Sequence, residues 1–271
     1  MSKTINSVEK ALRILDLLAE HYNGLRVSEI AQLTGVPYST AHRLVCTLET
    51  NGYITGSPDT GRYSLSLKIL GLYRALNHRM NLTQICFPYL SQLMEKYWET
   101  VHLAVYNDGE VVYLNTIVSP RSLAMYTEPG KRAPIHATAL GKVLAAYLPE
   151  DQVLAVLAEK GMKRFTPNTI VSPEKFLEAL QWVRTHGYAV DNEEVELGVR
   201  CVASSLINHN GNVVGAVSVS APSARLPLEK IGEIAESVMA TCDAASRALG
   251  ATEAAIRAHR STGYGKRLAS Q

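Results

Sequence analysis

Tyr38, Ser39, Thr40, His42 and Arg43 place hydrogen-bonding side chains at the start of one predicted helix, directly after a Thr34-Gly35-Val36-Pro37 corner. Short hydroxyls at a helix start suit phosphate oxygens and thymine methyls, and a longer arginine further along suits the acceptor edge of guanine. Arg62, just beyond the turn cluster Ser57-Pro58-Asp59-Thr60-Gly61, can reach an adjacent DNA backbone or minor groove. In the second half of the chain, Ala137-Thr138-Ala139-Leu140-Gly141 opens another predicted helix with small residues, so that backbone N–H groups can approach an anion. Ser218 and Ser220 alternate on a predicted strand and therefore share one face.

Each residue has a plainer reading beside the chemical one. Ser39 or Thr40 can cap its helix. Arg43 and His42 can be ordinary surface groups, and Arg62 can pair with Asp59. Cys201 is either a buried thiol or, with His136, half of a Cys–His nucleophile pair. Glu193, Glu194 and Glu196 form a charge run of the kind that usually makes a solvated face.

The elements that must carry these groups follow from periodicity. Asn6 is the expected cap of a first helix, with Glu9 as capping-box partner and Val8, Leu12, Leu15 and Leu18 as its stripe. Ser28 is the expected cap of a second helix with Ile30, Ala31 and Leu33 inward. After Pro37, Ala41, Leu44, Val45 and Leu48 follow helical spacing and face the core, which leaves the polar set outside. Tyr53–Thr55 and Arg62–Leu65 then alternate as strands around the turn cluster. This is a helix-turn-helix with a wing, the shape that places a helix in the DNA major groove.

Residues 66–80 give an amphipathic connecting helix. From residue 81 a helix is followed by a hairpin, Val101–Tyr106 and Val111–Val118, turned by Asp108-Gly109. Leu123–Tyr126 is a candidate third strand. Helices are expected at Ala137–Tyr147, Glu150–Lys160, Pro173–His186 and Leu228–Leu249, and strands at Cys201–Asn208 and Val213–Ser220. The fold class is α+β with an antiparallel sheet. The expected boundaries are 1–65 for the winged domain, 66–80 for the linker helix, 81–250 for the second domain and 251–271 for a tail, partly helical through Ile256 and then loose.

Bulk properties bound the function. The net charge of +2 is weak support for nucleic-acid binding, so that reading rests on the motif. The four cysteines show no zinc spacing and imply no disulfides, which fits a reducing cytoplasm. No secretion signal or membrane-length apolar run is present. No metal-ligand cluster, phosphate loop, dinucleotide fingerprint or G-x-S-x-G supports catalysis, so no metal, no cofactor and no enzymatic activity are expected.

Three segments, KALRILDLLAE with the winged motif after it, PIHATALGK at Pro134–Lys142, and GYAVDNEEVELGVRCVAS followed by GAVSVSAP, resemble the IclR family of bacterial transcription regulators. The likeness runs from about Ser7 to Gly250. It implies a winged helix-turn-helix joined by a linker helix to a GAF-like effector domain. It further implies double-stranded operator DNA as partner, a homodimer or tetramer, a small carboxylate effector and a nucleoid-associated cytoplasmic protein, more often a repressor than an activator. Carried over by motif, the effector residues are Ala139, Leu140, Asp191, Cys201, Ser218 and Ser220, with Met125 and Ile135 on the apolar side. Leu140 is larger than its counterpart in some members, which narrows that end of the expected pocket.

Overall fold

A computed structural model describes residues 4–72, 82–121 and 127–264, the last four of these as backbone. The chain divides into two compact units, 1–80 and 81–271.

The first unit holds α1 (Asn6–Glu20), α2 (Val27–Thr34), α3 (Tyr38–Thr50) and a two-stranded antiparallel sheet of β1 (Ile54–Gly56) and β2 (Tyr63–Leu65). Ile14, Leu18, Ile30, Ala41, Val45, Leu48 and Ile54 fill its core. Val8, Leu12 and Leu33, expected in the inward stripes, are exposed instead, and Ile14 takes the central place on α1. The caps also differ from expectation. Asn6 lies inside α1, and Ile5 at its N-cap has no side-chain oxygen to offer. Arg26 precedes α2, and the Glu29 carboxylate accepts the Arg26 N–H at 2.7 Å. Gly35 adopts φ +67° to turn α2 into α3, the left-handed conformation glycine tolerates best. A helical stretch begins at 68, with Leu67, Leu70 and Leu72 exposed. The rest of the expected linker helix, 73–80, lies outside the described residues.

The second unit is built on a six-stranded antiparallel sheet. Its strands are β3 (Thr100–Asn107), β4 (Glu110–Ile117), β5 (Arg132–Pro134), β6 (Tyr188–Asn192), β7 (Val199–Ile207) and β8 (Val213–Pro222), in the order β5-β4-β3-β8-β7-β6. Periodicity does not signal the edge strands β5 and β6, and the expected strand at Leu123–Tyr126 lies outside the described residues.

One face of the sheet packs against α4 (Leu82–Tyr97) and α8 (Ile231–Ala248), through Val101, Leu103, Val202, Val217 and Val219. The other face packs against α5 (Ala139–Ala145), α6 (Glu150–Lys160) and α7 (Pro173–His186), through Ala104, Ala203 and Ala216. Strand alternation thus sends the larger β-branched residues to one layer and small residues to the other. The long last helix expected from Leu228 is split into a 3₁₀ turn, Leu228–Lys230, and α8.

The segment after Gly250 forms α9 (Glu253–Tyr264), which packs on α7 and carries order past Ile256. Ile256 is buried, and Arg260 donates to Asp243, Gly187 O and Ser204 Oγ.

Among the described glycines of the second unit, Gly141 has the closest backbone approach. A Cβ there would lie 2.4 Å from both the Cα and the carbonyl oxygen of Ile135. Gly141→Ala is therefore expected to destabilise this unit by ~1–3 kcal/mol or more. Urea unfolding followed by far-UV circular dichroism measures the loss, and unchanged stability would contradict the packing.

Candidate functional site

In the winged unit, Tyr38, Ser39, His42 and Arg43 are exposed on α3 and Thr40 is half-buried. Pro37 is the N-cap of α3 and makes no side-chain cap. His42 lies against Cys46, with Nδ1 3.7 Å from Sγ, and its ring centroid is 6.3 Å from that of Tyr38. The Arg43 side chain projects from the same exposed surface with no ion pair among the described residues.

Arg62 departs from its expected role. Its guanidinium forms two hydrogen bonds with Glu29, at 3.0 and 3.1 Å, and donates to Gly24 O at 2.8 Å. The partner is Glu29 of α2, not Asp59. With the Leu25–Tyr63 bridge, this side chain bolts the wing to the helical core rather than presenting its charge outward. The Arg26 N–H, first, and then Arg62 hold the Glu29 carboxyl below its ordinary value.

In the second unit a cavity of about 340 Å³ opens on the α5 face of the sheet. Ala139, Leu140, Asp191, Cys201, Ser218 and Ser220 all line it. Ile135 does not. It is buried in the core, where its backbone seats Gly141, and Ala133 and Pro134 take its place in the wall. Met125 lies outside the described residues. The helix behind the small-residue loop is short. Thr138 caps it by accepting the Gly141 N–H at 2.9 Å, so that amide is already satisfied.

The polar wall carries an unusual charge balance. Asp191 is 3% exposed, and its carboxylate accepts the Glu194 N–H at 2.7 Å. Glu194, expected on a solvated face, is buried beside it and forms an ion pair with Lys142, itself buried. Lys142 also donates to Val190 O at 2.8 Å. Glu194 Oε2 has no hydrogen-bond partner. Burial, aided by the Glu194 charge, raises Asp191 to about 7, against the pull of the Glu194 N–H and of Lys142. Lys142 pairs directly with Glu194, so its ammonium offsets the burial of Asp191 only in part.

Sequence reasoning missed His102, Tyr113, Arg132 and Phe165 in the same wall. His102 Nδ1 pairs with Thr116 Oγ1 at 3.0 Å and its ring meets Tyr113 edge-on. Burial lowers His102 to about 4, which leaves it neutral at pH 7. Alternation along β3 sends it to the same face as Ala104, a signal present in the sequence.

The Cys–His reading loses its geometry. Cys201 Sγ accepts from Ser220 Oγ at 3.0 Å, and burial pushes the thiol up, away from the reactive thiolate. His136 Nε2 instead meets Lys163 O at 3.0 Å, and the ring stacks on Phe165. Among the described residues no group of His, Cys, Asp and Glu could hold a metal ion, and no helix is long and apolar enough to cross a membrane.

A winged helix-turn-helix joined in one chain to a sheet domain with a ligand-sized cavity defines a DNA-binding transcription regulator. Residues 7–58 match the IclR helix-turn-helix domain and residues 74–247 match the bacterial transcriptional regulator IclR C-terminal domain. The chain is 37% identical over 246 residues to the HTH-type transcriptional regulator XynR of Escherichia coli, covering 91% of this chain and 98% of that one. It is 30% identical to the acetate operon repressor of Salmonella typhimurium, over 92% and 91% of the two chains. The crystal structure of the Thermotoga maritima IclR superposes with a TM-score of 0.72 at 32% identity, covering 91% of this chain and all of that one. The chain belongs to the IclR family, whose members are regulators and not enzymes.

A carboxyl raised by burial makes stability depend on pH with a definite sign. The folded value of about 7 lies above the ordinary 3.8, so this group's contribution is complete at low pH and is lost as pH rises through 7. Asp191→Asn keeps the acceptor for Glu194 N–H and removes the charge. The variant is expected to melt higher than the wild type at pH 8, with a smaller gap at pH 5. Thermal unfolding at both values is the check, and a pH-independent gap would argue against a buried, titrating Asp191.

Proposed function

We propose that this regulator represses a catabolic operon as a cytoplasmic homodimer or tetramer and is released by a small organic acid. The single observation that supports the reading best is the convergence of Ala139, Leu140, Asp191, Cys201, Ser218 and Ser220 on one cavity, with the cations Lys131 and Arg132 also in its wall. A ligand pocket of this kind combines apolar lining with a few convergent polar groups. The repressive sign rests on relatives named as repressors, among them the acetate operon repressor at 30% identity.

In this reading Arg43 reads a guanine edge, Tyr38 and His42 flank it, and Ser39 and Thr40 contact phosphate. Arg62 contributes indirectly, by fixing the wing. Two such units in a dimer bind paired half-sites. Effector binding shifts the balance between arrangements that match the operator and those that do not.

Repeated selection of bound duplexes from a random pool supplies an operator sequence. Against it, Arg43→Ala is expected to lose ~1–3 kcal/mol of binding in fluorescence anisotropy. Equal affinity for the selected and a scrambled duplex would overturn the operator reading, and an unchanged affinity would remove Arg43 from it.

The cavity makes a separate demand on the effector. A carboxylate entering beside ionised Asp191 meets like charge, so binding should favour the protonated acid. Affinity for a carboxylate from a panel of acetate, pyruvate and benzoate is expected to rise as pH falls from 8 to 6, as Asp191 takes up its proton near 7. Asp191→Asn should flatten that dependence in calorimetric titrations. A wild type that binds carboxylates more tightly at pH 8 than at pH 6 would contradict the assignment.

A further inference from the structure

The sheet of the second unit carries a second cavity, of about 530 Å³, on the face opposite the first. Strand β8 divides the two. Ser218 and Ser220 point into the first cavity, and Val219 and Ala221 line the second. This second cleft shares no lining residue with the first.

Its composition is amphipathic. Tyr97, Leu226 and Ile234 supply apolar wall. Around them stand Lys96, Arg121, Arg225 and Lys230, with Glu99 and Glu233 as the acids. Arg225 and Glu99 neutralise each other through two hydrogen bonds, at 2.5 and 2.8 Å. That leaves Lys96, Arg121 and Lys230 against Glu233. None of these cations forms an ion pair among the described residues. Among the described residues Lys96 donates to the neutral Ser237 hydroxyl at 2.7 Å and lies 5.2 Å over the Tyr97 ring, and Arg121 lies 5.3 Å over the Trp98 ring. A concave site of this volume is the size that takes a small ligand, and uncompensated cations beside apolar wall select an anion with an apolar body.

We propose that this cleft is a second small-molecule site that takes an amphipathic organic anion, such as an aromatic or branched aliphatic acid. The apolar body lies on Tyr97, Leu226 and Ile234, and the acid group faces Arg121 and Lys230. The guanidinium of Arg121 presents a fork of donors suited to a carboxylate or sulfonate, and Lys230 adds a point charge.

The test uses the full chain and two fluorescent probes of similar shape. 1-Anilinonaphthalene-8-sulfonate carries the negative charge, and N-phenyl-1-naphthylamine lacks it. The double variant Arg121→Glu/Lys230→Glu changes exposed residues, and circular dichroism confirms that it folds. The variant is expected to bind the sulfonate at least tenfold more weakly than the wild type, while binding of the neutral probe changes less than twofold. Asp191→Asn, in the other cavity, should leave the effect of the double variant intact. Equal loss of both probes, or sulfonate affinity retained within twofold, overturns the proposal. So does a change of oligomeric state in the double variant, read by light scattering, because it would assign the cleft to a contact between copies of the chain.

Discussion

The buried ion pair between Lys142 and Glu194 ties together the elements around the cavity on the α5 face of the sheet. Lys142 rises from α5, directly after the loop that forms one wall, and Glu194 lies in the loop after β6 that forms another. Removing both charges from water is costly, and the cost is recovered only when further hydrogen bonds complete the geometry. Such bonds form around Lys142 and Glu194 Oε1, while Glu194 Oε2 is left without one among the described residues. Val190 O accepts from Lys142, and Asn192 N–H donates to Glu194 Oε1 at 3.3 Å. Thr166 and Thr169 hold the same loop by donating to Glu193 O and Glu194 O, at 2.7 and 2.6 Å. Asp191, between strand and loop, inherits its position and its reluctance to ionise from this arrangement.

The same strand alternation that builds the core separates the cavities lined by Ser218 and by Val219. In a sheet covered on both faces, neighbouring residues of one strand serve different layers. Along β8, Val217 and Val219 pack under α4 and α8, whereas Ser218 and Ser220 face the side of α5. Small residues on the α5 side, such as Ala203 and Ala216, bring α5 close to the sheet, and Gly141 lets it approach the backbone of Ile135. The cavity occupies the end of that interface where hydroxyl, thiol, imidazole and carboxyl groups replace the alanines.

What was legible in the sequence followed this logic. The winged motif could be read because its turns and apolar spacings are local, and so could the central hairpin and the serine pair on β8. Legibility failed where burial depends on a distant partner. Glu194 looks like part of a solvated run because its partner, Lys142, stands 52 residues away. Arg62 reads as a DNA contact or a partner of nearby Asp59, until Glu29, 33 residues back, closes on it. Ile135 looks like pocket lining by motif, yet the close packing of Gly141 pulls it into the core. Edge strand β5 carries a proline and β6 is short with polar ends, so neither stands out against the longer strands. Val8 and Leu12 satisfy a helical stripe as well as Ile14 does, and the positions of α2, α3 and β2 decide between them.

The arginines of the winged unit show how position, more than residue type, assigns a role. Arg43 and Arg62 are equally charged and both lie close to the expected DNA surface. Arg62 falls beside an acid on α2, and the bidentate geometry of a guanidinium with a carboxylate fixes it there. Its charge is then neutralised locally, and its contribution is rigidity: β2 cannot leave the core without breaking Arg62–Glu29 and the Leu25–Tyr63 bridge together. Arg43 projects from a helix whose inward stripe, Ala41, Val45 and Leu48, is buried, so its position about the helix is fixed while its guanidinium has no ion pair among the described residues. A chain with a net charge of only +2 cannot rely on bulk attraction to DNA. In the proposed reading, free donors on α3 supply the specific contacts, and the Arg62–Glu29 pair fixes the wing beside them.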